Sequence, residues 1–269
     1  MASGITLGII GVGNLGGALA EGVLAAGAVE RVIAADASAA RLEELTAALG
    51  DRFSNGSVDA VAAAADLVVV AVKPYNVATV VTQLGASLKA DTPLVSVAAG
   101  VAIDDIESEL DTDRPIIRAM PNLAMVVGES ATALCANALV SEEQMAMAES
   151  IFAAVGTVVK VAEPQMHAVT ALSGSGPAYV CLLIEALAAG GINRGLQPAI
   201  AQALAAQTLL GASKLILDKG LHPAVLKDQV TTPAGTTIAG LHQLELHGVR
   251  GALMDAVEAA AQRSEELAG

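Results

Sequence analysis

Short apolar runs alternate with stretches of helical periodicity through the first half of the chain. The apolar runs predict strands at residues 5–10, 31–36, 67–72, 93–100 and 115–120. The segments between them carry helix-like patterns, residues 37–49 among them. Strands and helices that alternate at these lengths predict a doubly wound parallel sheet of the Rossmann type. Ligands of such sheets bind beyond the carboxyl ends of the strands.

From about Ser141 onward the strand pattern fades, leaving one run at residues 157–161. The periodicity predicts helices at residues 141–154, 164–190, 197–218, 235–247 and 249–266. The second and third of these are apolar on all sides, so we expect them to be buried against each other or against a second subunit. The chain is therefore predicted to be α/β, with a dinucleotide-binding domain over residues 1–160. An all-helical substrate and dimerisation domain follows over residues 161–269, in an intertwined homodimer.

Composition narrows the classes of function. The chain has 269 residues, of which 54% are hydrophobic, and a formal net charge of −14. Such an acidic protein is a poor partner for nucleic acid, which binds chiefly through Lys and Arg. Two uncharged runs, residues 164–184 and 195–213, approach the length of a membrane span. We favour buried helices because "SGSGP" or glutamines interrupt these runs and basic anchors do not flank them.

The amino terminus lacks a basic secretory region, since the first positive charge is Arg31. The two cysteines, Cys135 and Cys181, stand alone, without metal-ligand or disulfide spacing. The four histidines also lack metal-binding spacing. We therefore expect a reduced, cytoplasmic protein with no metal.

A glycine fingerprint follows the first predicted strand. Gly11, Gly13 and Gly16 form G-x-G-x-x-G directly before a helix that opens with Asn14 and Leu15. The first glycine permits a tight turn, the second a close approach to pyrophosphate, and the third close packing of helix and strand. The N–H groups of the helix N-terminus then bind phosphate without a basic patch. The alternative is a glycine-rich turn that binds nothing.

Asp36 ends the second predicted strand, twenty residues after Gly16. An acidic residue at this spacing accepts hydrogen bonds from the adenosine ribose and favours NADH over NADPH. Two alternatives stay open. Ser38 and Arg41 follow closely and are able to accommodate a 2′-phosphate, and Asp36 is also able to cap the helix at residues 37–49.

Three loops after later strands are expected to face the nicotinamide. Their cofactor-binding candidates are Val72, Lys73 and Pro74 in the first loop, Ala98, Ala99 and Gly100 in the second, and Asn122 in the third. The first two loops also have ordinary interpretations: a solvated lysine with a proline that starts a helix in the first, and a buried strand end in the second.

The sequence resembles pyrroline-5-carboxylate reductases over essentially its whole length. The resemblance is carried by "IGVGNLG", "VVVAVKPYN", "SVAAGV", "IIRAMPN", "ALVSEEQ", "VTALSGSGPAYV", "IEALAAGG" and above all "LKDQVTTPAGTTIAGLHQLE". One departure is Ala234, where the family usually has a second glycine beside Gly235.

The resemblance implies an enzyme that transfers hydride from NADH or NADPH to the imine carbon of 1-pyrroline-5-carboxylate, giving L-proline. It places the substrate carboxylate in the loop Val230–Thr237, with Thr237 also as the candidate contact to the ring nitrogen. Threonine hydroxyls and helix N–H groups are able to hold a carboxylate without arginine. The substrate-binding residues implied in this way are Glu163, Ser175, Thr232, Gly235, Thr236 and Thr237, and Gln229 is implied to lie near the cofactor of the partner subunit.

Other interpretations compete with these assignments. A threonine of the loop, Thr237 or a neighbour, is able to serve only as a helix cap. The segment Ser173–Ala178 fits either the wall of a substrate pocket or a helix kink before Pro177. A β-hydroxyacid dehydrogenase shares the layout but would place a catalytic lysine near Val180, and a non-catalytic dinucleotide sensor would not need the threonine loop.

Overall fold

The computed structural model describes residues 4–268, which pack into two compact units. The first unit contains the chain up to Ser175 together with the residues from Ala259 onward. The second unit is Gly176–Glu258. The last helix therefore contributes residues to both units.

The first unit is built on one eight-stranded sheet. The strand order is β3-β2-β1-β4-β5-β6-β7-β8, and neighbours are parallel except for β6 and β7. The strands are β1 (Thr6–Ile10), β2 (Arg31–Ala35), β3 (Phe53–Asn55), β4 (Leu67–Val70), β5 (Leu94–Ser96), β6 (Ile116–Met120), β7 (Ser130–Ala136) and β8 (Gly156–Lys160). Because side chains alternate along a strand, β1 feeds Leu7 and Ile9 into one core and Ile10 into the other.

Helices cover both faces of this sheet. They are α1 (Asn14–Ala25), α2 (Ala39–Leu49), α3 (Val58–Ala64), α4 (Val77–Ser87), α5 (Ile103–Ser108), α6 (Glu142–Ala153) and the short α7 (Met166–Val169). Apolar residues of α1 and α6, such as Leu19 and Phe152, belong to one core. Residues of α3, α4 and α5, such as Val61 and Ile106, belong to the other. Two cores on opposite faces confirm the predicted doubly wound architecture.

The second unit is entirely helical within the described residues. Its helices are α8 (Gly176–Asn193), α9 (Pro198–Lys219), α10 (Pro223–Val230), α11 (Thr236–Leu246) and the first part of α12 (Val249–Ala268). The small core between α8 and α9 consists of Ala188, Ala201 and Ala205. Large apolar side chains stay exposed around it, Leu182 at 64% and Leu204 at 55% among them.

By length and composition alone, two helical segments are able to cross a membrane. They are Glu163–Asn193 and Pro198–Lys219, and within the single chain only 6% and 11% of an apolar 18-residue stretch of each is buried. A helix that lies in the core of a soluble assembly passes the same test. These segments therefore present an apolar surface, which we expect to be buried against another molecule or a membrane.

The structure corrects several predicted elements. The sheet contains one antiparallel pair, because β7 runs against β6, and β7 and β3 were both missed. The helix predicted at residues 164–190 is divided into a 3-10 turn (Glu163–Gln165), α7, a π-helical turn (Thr170–Gly174) and α8. Residues 223–230, left without an element in the prediction, form α10.

Candidate active site

Two of the three fingerprint glycines, Gly11 and Gly16, occupy positions that a side chain would not fit. Gly11 has φ +95°, and a Cβ there would lie 2.7 Å from the Ala71 carbonyl oxygen. A Cβ at Gly16 would collide with the carbonyl oxygen of Gly11. At Gly13, in contrast, no described atom lies within 4 Å of the Cβ position. The turn therefore presents open backbone at the N-terminus of α1, where Gly13 is the N-cap.

A cleft of about 800 Å³ opens at the carboxyl ends of the parallel strands. Its size suits a small-molecule ligand, and it lies wholly within the first unit. Ten of the predicted cofactor residues line it, namely Gly11, Gly13, Asn14, Leu15, Asp36, Val72, Lys73, Pro74, Ala98 and Ala99. Most of the cofactor-binding residues predicted from the sequence therefore lie in this one cleft.

Asp36 connects the fingerprint to the end of β2. One carboxylate oxygen accepts the backbone N–H of Val12 at 2.7 Å, and the other accepts that of Ser38 at 2.8 Å. Ser38, whose hydroxyl accepts the Arg41 N–H, is the N-cap of α2, so the capping interpretation of Asp36 is wrong. The carboxylate instead holds the glycine turn in place beside the cleft.

Arg41 is occupied by protein groups. Its Nε donates to the Val12 carbonyl at 3.2 Å, and its Nη1 lies 2.8 Å from a Glu44 carboxylate oxygen. A second carboxylate, that of Glu21, lies 3.7 Å from Nη2. The positive charge that a 2′-phosphate would need is therefore already neutralised in part.

Two further segments, which the sequence did not predict, also line the cleft. One is Gly56–Val58, which follows the missed strand β3, and the other is Thr79 and Val80 on α4. The signal for the first was the pair Asn55 and Gly56, a turn signature. A strand of three residues is too short for its pattern to stand out.

Three predicted cofactor residues lie outside the cleft lining within the first unit. Gly16 underlies the turn, and Gly100, with φ +76°, faces the backbone of Leu267 near the end of α12. Asn122 donates from Nδ2 to the carbonyl of Ser173 at 3.0 Å, and its Oδ1 accepts the Ala124 N–H. Asn122 thus ties the loop after β6 to the π-helical turn.

Glu163 lies at a junction of three segments in the first unit. Its Oε1 accepts the backbone N–H of Ile103 at 2.8 Å and lies 3.3 Å from Arg118 Nη1. The side chain of Arg118 is only 5% exposed. Burial, followed by the negative charge of Glu163, raises the pKa of the adjacent Cys135 thiol to about 11. The Arg118 guanidinium is therefore shielded from water at this junction, and its ion pair with Glu163 compensates its charge.

The threonine loop lies in the second unit, between α10 and α11. Gly235 is the N-cap of α11, and no side chain within residues 4–268 caps that helix. The prediction that a threonine caps the helix is thus wrong. The Thr231 hydroxyl does not cap the helix either, because it donates to the Lys227 carbonyl at 2.7 Å. The hydroxyls of Thr232, Thr236 and Thr237 remain beside open helix N–H groups.

The two remaining predicted residues differ in setting. Ser175 is half-buried at the end of the π-helical turn, where its backbone N–H donates to the Thr170 carbonyl at 2.9 Å. Gln229 is exposed on α10. Within the described chain, His, Cys, Asp and Glu side chains form no group of three that is able to hold a metal ion.

The glycine turn, the acidic residue after β2 and the cleft at the strand ends define a dinucleotide-binding protein of the Rossmann class. Family profiles agree with this class. Residues 6–100 match the family described as NADP oxidoreductase, coenzyme F420-dependent, and residues 163–267 match that described as pyrroline-5-carboxylate reductase dimerisation.

Individual relatives cover nearly the whole chain. The pyrroline-5-carboxylate reductase of Synechocystis is 46% identical over 98% of this chain and 98% of its own length. A solved pyrroline-5-carboxylate reductase from Coxiella burnetii has a TM-score of 0.94 at 34% identity, and the match covers 99% of this chain and 100% of the other. An NADP-bound pyrroline carboxylate reductase structure from Plasmodium falciparum has a TM-score of 0.85 at 30% identity, covering 98% of both chains.

The chain belongs to the pyrroline-5-carboxylate reductase family. The resemblance and the fold class predicted from the sequence are both confirmed. The chain is accordingly an oxidoreductase that depends on a nicotinamide dinucleotide.

Proposed function

We propose that the protein reduces 1-pyrroline-5-carboxylate to L-proline with NADH or NADPH, the last step of proline biosynthesis. The observation that carries this proposal is the N-terminus of α11. A helix that begins at glycine, without a side-chain cap, offers its N–H groups to an anion, and three threonine hydroxyls stand beside it. These groups suit the carboxylate of a small imino acid.

The chemistry requires little acid–base machinery. The nicotinamide supplies a hydride, which forms the new C–H bond at the imine carbon. The C=N π electrons pass to nitrogen, which carries one added proton in the amine product. Placing the imine carbon within reach of the hydride provides most of the acceleration. This fits the loop Val230–Thr237, whose sequence contains no histidine, aspartate or glutamate.

The substrate residues of this proposal lie mainly in the threonine loop. Thr232, Gly235 and Thr236 contribute hydroxyl or N–H groups to the carboxylate, and Ser175 is proposed as a further substrate-binding residue. The Thr237 hydroxyl, or a water held by it, contacts the ring nitrogen and so counts as catalytic. Half-burial of Thr237 supports this assignment, because a partly desolvated hydroxyl binds a polar ligand more strongly.

We also propose that the cofactor is bound by the cleft residues together with Gly16, Gly100 and Asn122, and that NADH is preferred. The Asp36 carboxylate lines the cleft and would repel a 2′-phosphate. The nearby Arg41 is paired with glutamates, so it offers little compensation. NADPH remains a usable cofactor in this proposal.

The proposed assembly is a homodimer formed through the carboxyl-terminal helices, open to further association into a ring such as a decamer. The exposed apolar side chains of α8 and α9 support it, since such surfaces in soluble proteins mark interfaces. Gln229, exposed on α10, then approaches the cofactor of the partner subunit. The proposed location of this enzyme is the cytoplasm.

Nucleotide oxidation followed by absorbance tests the reaction. NADH and NADPH are each supplied with pyrroline-5-carboxylate, and a β-hydroxy acid with NAD serves as the control for a dehydrogenase. We expect oxidation that depends on the imine and is faster with NADH, and no reduction of NAD in the control. Dinucleotide binding without imine-dependent oxidation would replace this proposal with a dinucleotide sensor.

A further inference from the structure

Glu163 bonds to two segments that are distant from it in sequence. Its Oε1 accepts the N–H of Ile103, the first residue of α5, and pairs with Arg118 on β6. The sequence separations are 60 and 45 residues. One oxygen atom thus fastens the chain after β8 to a loop end and to a strand of the sheet.

The loop that Glu163 holds forms part of the cofactor cleft. Val97, Ala98 and Ala99 line the cleft, and Ile103 lies just beyond them. Ile103 and Ala98 belong to one buried core cluster, so the packing of Ile103 is connected with that of the cleft wall. Gly100, between them, has φ +76°, a conformation that favours glycine. At the far end of this loop, the Glu163 carboxylate holds the backbone N–H of Ile103.

The buried charge of Arg118 explains why an acidic residue occupies position 163. Its guanidinium is almost fully buried, and Glu163 is its one ion-pair partner among the described residues. A buried guanidinium that loses its counter-charge is strongly destabilising, because the charge is left uncompensated away from water. The pair therefore keeps the carboxylate at a fixed place, from which its oxygen reaches the Ile103 N–H.

We propose that Glu163 is a positioning residue of the cofactor site: by holding Ile103, it sets the wall formed by Val97–Ala99 against the dinucleotide. This inference rests on the proposed use of the cleft by NADH or NADPH, and it differs from the substrate-contact role that the family resemblance implies. It predicts that Glu163 governs dinucleotide affinity in the absence of any imino acid.

Two double variants distinguish the effect of the hydrogen bond between Ile103 and Glu163 from the effect of the Arg118–Glu163 charge pair. Arg118→Met with Glu163→Gln removes both charges but leaves an amide oxygen to accept the Ile103 N–H. Arg118→Met with Glu163→Ala removes the acceptor as well. NADH binding is titrated by nucleotide fluorescence without substrate. We expect the first variant to bind within about twofold of the parent and the second about tenfold more weakly, the worth of one hydrogen bond to a buried group.

Steady-state kinetics supply the second readout. The Met/Ala variant should raise the KM for NADH while the KM for the imino acid and kcat stay close to the parent values. A rise in the imino-acid KM alone would overturn the proposal in favour of a substrate contact. Equal NADH affinity in the two double variants would also overturn it. The titration without substrate is independent of whether the imine is the true substrate.

Controls guard against loss of folding. Glu149→Ala breaks the surface pair with Lys160, whose N–O distance is 2.7 Å, and should leave NADH affinity unchanged. Thermal melts must show that both double variants are folded. If the Met substitution prevents folding, the single variant Glu163→Gln is compared with Glu163→Ala: the same tenfold difference supports the role of the hydrogen bond to Ile103, and no difference refutes it.

Discussion

Ala234 carries backbone strain in the middle of the threonine loop. Its φ of 56° is the one positive value outside glycine among the described residues. Replacing Ala234 by Gly should raise the free energy of unfolding by about 1 kcal/mol, since glycine adopts this conformation without a Cβ clash. Denaturant unfolding at matched protein concentration measures the difference.

The neighbouring glycine provides the contrast. A Cβ on Gly235 would collide with the Thr232 hydroxyl, so Gly235→Ala should destabilise the loop and weaken imino-acid binding. A less stable Ala234→Gly variant would show that the loop does not hold this conformation.

Asp36 permits a test of cofactor choice that preserves the glycine turn. Asp36→Asn keeps an oxygen able to accept the Val12 N–H but removes the negative charge. We expect the ratio of kcat/KM for NADPH to that for NADH to rise at least about threefold, because repulsion of the 2′-phosphate disappears. Initial rates with each dinucleotide measure the ratio.

The matched control is Arg41→Gln. If Asp36 sets the preference, this change leaves the ratio nearly unaltered, since Arg41 is already paired with glutamates. A selective loss of NADPH use in Arg41→Gln, with no change in Asp36→Asn, would instead identify Arg41 as the phosphate contact.

At the scale of elements, the N-terminus of α11 is the decisive feature of the proposed substrate site. Thr237→Ala should raise the imino-acid KM roughly tenfold or more while NADH affinity stays constant, because one hydroxyl near the ligand is lost. Thr231→Ala is the matched control in the same loop, since that hydroxyl already bonds to the Lys227 carbonyl. Equal losses of substrate and NADH affinity in Thr237→Ala would contradict the assignment.

The elements that could be predicted from sequence were those with a strong apolar run. β1, β4 and β6 are continuous runs of buried residues, and the glycine fingerprint located the turn between β1 and α1. β7 was missed because its seven residues, "SATALCA", are mostly small and give little hydrophobic contrast. Its antiparallel direction comes from tertiary pairing, which no local pattern encodes.

The same limit applies to the proposed site. Residues whose role depends on backbone geometry, such as Gly11 and Gly16, could be predicted from their spacing. The contacts of Glu163 with Ile103 and Arg118 could not, because they join segments 60 and 45 residues apart. The family resemblance indicated that Glu163 matters, but only the coordinates show what it touches.

At the scale of the whole molecule, we propose that the two units carry separable tasks. The first unit contains the complete cleft and two cores of its own. The second unit has a core of only three alanines and many exposed leucines, so we expect its stability to depend on association. Dinucleotide binding should therefore survive dissociation of the subunits, and imine reduction should not.

Leu204→Glu tests this division of tasks. Leu204 is 55% exposed on the apolar α9, so a charge there should oppose burial in the dimer and shift the protein toward monomer by sedimentation analysis. Leu139→Glu, at a similarly exposed leucine of the first unit, should leave the dimer intact. We expect the Leu204 variant to bind NADH within about threefold of the parent while losing most imine reduction, because the second unit, which carries the proposed threonine-loop site, is expected to depend on association for its stability. A monomeric variant with full activity would place the entire reaction within one chain.

A separate experiment on the parent protein tests what buries the apolar surface of α8 and α9. Binding to lipid vesicles, with no dimer in solution, would identify a membrane rather than a second copy of the chain.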